Sequence, residues 1–329
     1  MSVRIVLVTR NGLPIVEESL SAIASYSGGA QVSLLDNGST DGTSAVLRAW
    51  AMQHNAELLI SETNTGFSAA YNALLRQGSE PYLLVLNQDA VLSSGYVDAL
   101  EKVLGEVPEL ASVSGTLLRR DDVVTNVIDA QGLTIHATGR VVERNRGQQF
   151  KNSTTELQYG FGNPATATLY RRSALQSIAL GTAVHPQYFD EHFFAYKEDV
   201  DLAYRLALAG WKSAVLPNVV ASHIRSVRGI ADDQQEIGGR RTAAAWLART
   251  DLQQYLSYRN HLYFLFGTAL VRRNYVSLPL VIMYEKIKAF MVLITRPRQF
   301  FRAWGEVFGN REYLKEKRKH TRALKRVQV

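Results

Sequence analysis

The chain of 329 residues contains no cysteine. That absence excludes disulfides, thiolate metal sites and a cysteine nucleophile, and it is compatible with a reducing compartment. No uninterrupted apolar run approaches the ~20 residues that a membrane-crossing helix needs, because the longest apolar-rich tract, residues 262–294, is broken by Arg272, Arg273, Asn274, Glu285, Lys286 and Lys288. The apolar run that precedes Thr9 and Arg10 is too short for a signal peptide's hydrophobic region and reads as a first strand. No G-x-G-x-x-G follows it, and no G-x-x-x-x-G-K-S/T occurs anywhere. Dinucleotide and P-loop chemistry thereby lose their main support.

Hydrophobic residues make up 46% of the chain, enough for a sizeable core, and the length predicts about two domains. The net charge of +7 is unevenly spread. Between Arg296 and Val329 eleven Lys or Arg face three Glu, a net of +8, which leaves the preceding 295 residues at −1. Such a tail suits nucleic acid, an anionic lipid surface, an acidic ligand or a solvated helix, and charge alone does not choose among them.

Short apolar runs alternate with helical patterns through VRIVLV, residues 14–26, QVSLLD, residues 43–54, AELLI, residues 67–77 and YLLVLN. This rhythm predicts a parallel sheet covered by helices, in which ligands bind at the carboxyl ends of the strands. Every predicted strand end is polar: Thr9, Arg10 and Asn11; Asp36 and Asn37; Asn64, Thr65 and Gly66; Asn87, Gln88 and Asp89. Taken singly these are ordinary turn and cap residues. Asp36 beside Asn37 also offers an acceptor and a donor together, suited to the edge of a base. Asp89 at the end of a buried strand suits Mg2+ or a similar hard cation, which needs one or two protein carboxylates when a diphosphate and waters complete its shell.

The most acidic stretch, residues 188–211, sets Asp190, Glu191, Glu198, Asp199 and Asp201 among Tyr188, Phe189, Phe193, Phe194 and Tyr196. Carboxylates in such company have tunable pKa values. Val200, Leu202, Ala203, Leu206, Ala207 and Leu208 fit a 3.6-residue period that ends at Gly210. Glu198 and Asp199 then fall in the first helical turn, where the dipole favours acids.

The segments LVTRNG, LLDNGSTDGT, NTGFSAAYN, LLVLNQDA, GNPATATLYRRSAL, FDEHFFAYKEDVDLAYRLALAGW and SHIRSVRG, in that order over residues 3–228, resemble the motif series of family 2 inverting glycosyltransferases of the GT-A fold. They most resemble the bacterial branch that includes rhamnosyltransferases of cell-surface polysaccharide assembly. The resemblance implies an α/β GT-A fold, a Rossmann-like, mostly parallel sheet between helices, with a C-terminal helical extension. It implies inverting, metal-dependent transfer of a sugar, L-rhamnose from dTDP-rhamnose being the expected case, from a nucleotide-diphosphate sugar to a glycan or lipid-linked glycan, with Mg2+ or Mn2+ as cofactor. Carried over position by position, the nucleotide site is expected at Thr9, Asn11, Asp36 and Asn37; the other strand-end residues Arg10, Asn64, Gly66 and Gln88, and Asn72 from the helix that follows, are expected to line it as well. The metal is expected at Asp89, in a D-x-D-like element whose first position is Asn87, and at His223. Asp199 is expected as the base, with Glu198 the other candidate. Asp190, Glu191 and Gly162 are expected toward the acceptor. The alternative is a nucleotide-sugar or glycan binding module without turnover, against which the presence of both Asp89 and Asp199 argues.

Residues 119–161 loosen the pattern around a predicted hairpin, LTIHATGRVVE, where acceptor-side variation is expected. KSAVLP and VVASHI read as two short strands, and residues 225–239 as a mobile loop or lid. A boundary is placed near residue 228, separating a catalytic domain, 1–228, from a helical region, 229–329. The Arg259–Asn260 pair is read as packing or as a recurrent feature of this branch. Apolar faces beside Arg272, Arg273, Lys286, Lys288 and the tail predict an anionic membrane surface or a homodimer contact. A cytoplasmic location, peripheral on the inner face of the cell membrane, follows from the resemblance, and nucleic acid is not an expected partner.

Overall fold

A computed structural model describes residues 2–26, 29–120, 123–151, 154–224, 250–271 and 274–324. The alternation read from the sequence is present: β1 (Val3–Thr9), α1 (Ile15–Ala24), β2 (Gln31–Asn37), α2 (Thr43–His54), β3 (Glu57–Ser61), α3 (Gly66–Leu75) and β4 (Tyr82–Asn87). β1 lies parallel to β2 and β4, and β2 parallel to β3. Side chains alternate across the strands. Val6, Leu35, Leu83 and Val85 enter one buried cluster, while Ile5, Leu7, Leu34, Leu84 and Leu86 enter the other. A sheet covered on both faces needs apolar residues at every position, which is why these strands read as unbroken runs.

The chain continues through β5 (Ala90–Leu92), α4 (Tyr96–Glu106), β6 (Leu110–Arg120), β7 (Val124–Ala130), the hairpin of β8 (Leu133–Ile135) and β9 (Val141–Glu143), β10 (Gln158–Gly160), β11 (Ala167–Arg171), α5 (Arg172–Ser177), the short pair β12 (Leu180–Thr182) and β13 (His185–Gln187), α6 (Glu198–Leu208) and β14 (Lys212–His223). The main sheet runs β10-β14-β6-β11-β4-β1-β2-β3, with β5 on β14 and β7 on β6. One expectation is corrected: KSAVLP and VVASHI form a single strand, β14, whose register on β6 slips between Leu216 and Val220. Pro217 within the slip has no N–H for the ladder, and its carbonyl accepts from Thr116 Oγ1 at 2.8 Å.

The expected boundary near residue 228 and the expected lid, 225–239, lie outside the described residues, as do Arg272 and Arg273. Beyond them come α7 (Asp251–Phe264), capped by a Thr250–Gln253 capping box, a π-helical turn (Leu265–Ala269), α8 (Leu278–Thr295), α9 (Pro297–Gly309) and α10 (Arg311–Ala323). These helices share one buried cluster with one face of the sheet, in which Tyr170, Phe189, Phe193 and Tyr204 join Tyr255, Phe264, Val292 and Leu314. Among the described residues no helix is long and apolar enough to cross a membrane.

The basic tail is not wholly solvated. Lys317 on α10 is 2% exposed, with Nζ 2.8 Å from Asp201 Oδ1 and in contact with Asp190 Oδ2. Arg205 Nε reaches Asp201 Oδ2 at 2.8 Å, and its Nη groups donate to the carbonyls of Ile178 and Tyr188. Two acids and two bases thus form a neutral buried set. Burial alone would raise both carboxylates, and Lys317 outweighs it, together with the His192 and Tyr313 hydrogen bonds at Asp190 and with Arg205 at Asp201, so both are held below the usual range.

Candidate active site

β4 delivers Asn87, Gln88 and Asp89 to the carboxyl edge of the sheet. Pairing of β5 with β14 sets His223 opposite Ala90, which brings His223 Nε2 to 3.4 Å from Asp89 Oδ1. β7, folded back on β6, adds Asp129, whose Oδ2 lies 2.8 Å from His223 Nδ1. Burial would lower the His223 pKa, but the hydrogen bonds to Asp129 and Asp89 outweigh it and raise it to about 9. Among the described residues no cluster of three or more His, Asp or Glu is arranged to enclose a metal by itself. The donors present nevertheless fit a divalent cation shared with a diphosphate: the Asp89 carboxylate would bind it, the His223 imidazole would join once the cation displaced its Nε2 proton, and the Asp129 carboxylate would orient the ring.

The first two strand ends form a tied set of loops. Arg10 N–H donates to Gln88 Oε1 at 2.8 Å, and Thr9 Oγ1 donates to the same oxygen. Asn11, at φ 48, accepts from Thr40 N–H at 2.8 Å. Asp36 is fully buried, its two oxygens accepting from Ser39 N–H and Ser44 Oγ. Asn37 accepts from Thr65 N–H at 2.9 Å and donates to Asn64 Oδ1 and Gly66 O. Arg10, Asn11 and Asn64 remain exposed at the rim. In this arrangement Asp36 and Asn37 brace the loops from within, and Arg10, Asn11 and Asn64 stay open to solvent.

Facing this edge, α6 begins as the sequence predicts, with Glu198 and Asp199 in its first turn, and the chain turns at Gly210 at its far end. Asp199 is partly exposed, and its Oδ1 accepts from Val200 N–H at 2.8 Å. Glu198 is buried, and its Oε2 has no hydrogen-bond partner among the described residues. Burial raises Asp199 to about 6, against that hydrogen bond and with help from the Glu143 charge on β9. Burial and the neighbouring Asp199 raise Glu198 to about 8. Tyr71 lies in the fields of Asp89 and Glu198, and Tyr170 in those of Asp199 and Glu198. The Tyr71 hydroxyl sits 2.8 Å from Leu86 O and 3.0 Å from Asn87 Oδ1. The strand-end acids and the helix-start acids therefore converge on one aromatic-walled space.

The family model described as glycosyl transferase family 2 matches residues 4–179. An N-acetylglucosaminyl-diphospho-decaprenol L-rhamnosyltransferase of Mycobacterium tuberculosis, found in two strains, is 31% identical over 245 residues, which cover 67% of this chain and 75% of that protein. The chain belongs to glycosyl transferase family 2. Its fold is similar to that of GalNAc-T7, solved with UDP, GalNAc and Mn2+, at a TM-score of 0.58 and 12% identity over 88% of this chain and 55% of that one. It is also similar to the mannosyltransferase PcManGT from Pyrobaculum calidifontis, solved with GDP-Man and Mn2+, at a TM-score of 0.50 and 17% identity over 98% and 87% of the two chains. The resemblance read in the motifs, the GT-A fold and glycosyltransferase activity are thereby borne out.

Four expected site residues of the glycosyltransferase lie elsewhere or are already engaged. Asn72 does not reach the nucleotide pocket: it is fully buried, accepts from the Tyr188 and Phe189 N–H groups at 3.0 Å each, and donates to Phe189 O at 2.7 Å. Asp190 is closed off from any acceptor by Lys317 and Tyr313. Glu191 is taken by Asn72 Nδ2 at 3.0 Å and by Arg76 at 3.5 Å. Gly162 is buried against α6, where a Cβ would stand 2.3 Å from that of Ala203, so it serves close packing rather than access to a sugar. All four sit in segments whose polarity is real but is spent on holding the 188–197 loop and α6 in place.

Conversely, Asp129, Glu143 and Tyr71 were not singled out in the sequence. Asp129 lies within NVIDAQ, an acid in an apolar strand, and that is a usable signal of a buried partner. Glu143 ends the hairpin that was expected to vary on the acceptor side of the glycosyltransferase, and Tyr71 is masked by the helical period of α3.

Proposed function

We propose that the enzyme transfers a 6-deoxyhexosyl unit, L-rhamnose from dTDP-L-rhamnose, with inversion, to a glycan acceptor carried on lipid. The observation that carries this reading is the Glu198–Asp199 pair, two carboxyls with raised pKa values at a helix start, facing the Asp89–His223 edge. Asp199, partly open to the cleft, accepts the proton of the acceptor hydroxyl as that oxygen attacks the anomeric carbon; Glu198 stays protonated beside it and limits charge repulsion. Asp89 and His223 would hold Mg2+ or Mn2+, whose chemistry there is to screen the diphosphate of the donor. The mycobacterial relative's name supports the rhamnosyl donor and the diphospho-polyprenol acceptor, both classes that fit a polar strand-end pocket beside an acidic one. The test is release of nucleoside diphosphate with and without acceptor across UDP-, dTDP- and GDP-sugars, each with and without EDTA. Acceptor-dependent release confined to dTDP-rhamnose supports the proposal; release from another donor alone overturns the sugar assignment.

The pH profile follows from the raised Asp199. Its base form is lost as pH falls through about 6, so kcat/KM is expected to drop on the acid side near that value, whereas an ordinary carboxylate would keep activity down to about pH 4. A flat profile between pH 4.5 and 7 would remove Asp199 from the role.

A lipid-borne acceptor requires the enzyme to dwell at a membrane, and we assign that contact to α8 and α9. Leu280, Met283, Ile287, Phe290 and Ile294 recur at spacings of three and four along α8 and are 40–66% exposed, and Phe301 and Phe308 on α9 are 66% and 68% exposed. Lys286, Arg298 and Arg302 are exposed on the same two helices. An apolar stripe with basic residues suits the interface of an anionic bilayer, each nearby cation contributing about 1 kcal/mol. Ile287→Asp with Phe290→Asp is expected to lower binding to phosphatidylglycerol vesicles at least tenfold while transfer to a short soluble acceptor persists. If vesicle binding is unchanged and the double variant sediments as a monomer where the wild type is a dimer, the stripe is a homodimer seam instead.

A further inference from the structure

We infer that Asn260, oriented by Arg259, is a positioning residue for catalysis: from α7 it fixes the backbone of the turn that carries Glu198 and Asp199. This rests on the assignment of Asp199 as base, and it gives a role to two residues read from the sequence as packing or as a branch feature.

The turn is strained. Phe194, Tyr196 and Lys197, immediately before the acids, have φ values of 62, 72 and 70. Side-chain-bearing residues rarely adopt such values, and they persist only where the surroundings enforce them. No glycine relieves the cost at any of the three positions, so the enforcement must come from outside the turn.

The carbonyls of the turn show where it comes from. Arg259 Nη2 donates to His192 O at 3.0 Å and to Phe193 O at 3.1 Å. Asn260 Nδ2 donates to Phe193 O, Ala195 O and Tyr196 O at 2.8, 2.7 and 2.8 Å. Phe67 N–H, just past the start of α3, donates to Phe194 O at 2.5 Å. Every carbonyl from residue 192 to residue 196 thus receives a donor from another helix. The Asn260 amide has one possible orientation, because Arg259 Nε–H, which can only donate, lies 3.0 Å from Asn260 Oδ1 and so leaves Nδ2 facing the turn. Arg259 is held in turn by Glu306 on α9 at 2.9 Å. Asn260 is fully buried.

On the α3 side the same turn meets the donor loops. A Cβ on Gly66, at φ +85, would fall 2.5 Å from the Phe194 ring, and the Gly66 carbonyl accepts from Asn37 Nδ2 at 3.1 Å. The base-bearing turn is therefore seated between the donor-site loops and the C-terminal helices, and α7, beyond the family-matched residues 4–179, supplies the donors to four of its five carbonyls. Without Asn260 the carbonyls of residues 195 and 196 lose the amide that donates to both, the positive-φ residues relax, and the Asp199 carboxylate leaves the position from which it reaches an acceptor hydroxyl; a displacement of about 1 Å costs on the order of 100-fold in a positioned reaction.

The test compares Asn260→Ala and the gentler Arg259→Lys with wild type on full-length protein, reading kcat, KM for the donor, donor affinity by calorimetry and melting temperature. For Asn260→Ala, kcat is expected to fall by 30-fold or more with donor affinity within threefold of wild type; Arg259→Lys is expected to fall in the same sense by a smaller factor. Tyr196→Gly, which tolerates positive φ, is expected to restore part of the lost kcat in the Asn260→Ala background. If Asn260→Ala does not fold, Arg259→Lys decides. Wild-type kcat in the folded variants, or loss of donor affinity in proportion to kcat, overturns the positioning role while leaving the base assignment intact; full activity of Asp199→Asn would instead overturn that assignment itself.

Discussion

Asp199→Asn is expected to lower sugar transfer by about 100-fold or more, the scale on which a general base is felt, with donor binding close to wild type. The substitution keeps size and shape, and the Asn oxygen still accepts from Val200 N–H, as Asp199 Oδ1 does at 2.8 Å. What disappears is the carboxylate whose burial raises its pKa to about 6. The strand-end residues proposed to hold the donor are untouched, so calorimetric titration with donor separates the lost proton acceptor from a damaged pocket. Glu198 provides an internal check: its pKa is raised by burial and by the Asp199 charge, so removal of that charge brings it nearer an ordinary glutamate, leaving it as a weak substitute base. Wild-type turnover in Asp199→Asn would transfer the role to Glu198.

The second large effect is on stability. Lys317→Met is expected to cost about 3–5 kcal/mol in denaturant unfolding, because removing one partner of a buried ion pair leaves an uncompensated charge. Lys317 sits between Asp190 and Asp201, both fully buried, and Arg205 alone would then face two carboxylates. Lys317→Met combined with Asp190→Asn is expected to recover part of the loss, since deleting both members leaves no orphan charge. Both acids are held below the usual carboxylate range in the folded state, so their contribution is complete above the unfolded carboxylate pKa of about 4 and is lost as pH falls below it. Stability of the single variant within 1 kcal/mol of wild type, with no pH dependence of the difference, would mean that the cluster is hydrated rather than buried. The same cluster makes the basic tail part of the core: a chain cut before α10 loses Lys317 and Tyr313 from Asp190, so deletion of the tail is no test of membrane binding.

The sequence was most legible where one face of the sheet needs one kind of residue. Strands buried on both sides read as unbroken apolar runs, and the 3.6-residue period up to Gly210 placed the acid pair on the first turn of α6. Legibility failed where a polar residue serves the backbone. Asn72, Asp190 and Glu191 carry the same side chains that line a ligand pocket, and only their partners, the N–H groups of residues 188–189 and the side chains of Lys317, Tyr313 and Arg76, separate them from it. Those partners are 110 or more residues distant in every case, so no local pattern betrays the pairing. Gly162 failed for the opposite reason, since a glycine at a close helix contact and a glycine at a sugar look alike in sequence. KSAVLP and VVASHI were read as two strands, while β14 passes through Pro217 by a register slip.

The most direct measurement of the central claim is the anomeric configuration of the product formed from dTDP-L-rhamnose and an N-acetylglucosaminyl diphosphate on a short polyprenol, read from the one-bond C1–H1 NMR coupling of the transferred rhamnose. Direct attack by an acceptor hydroxyl deprotonated at Asp199, on the face opposite the leaving diphosphate, predicts a single product of configuration inverted from the donor, with one nucleoside diphosphate released per bond formed; a product of retained configuration would contradict it.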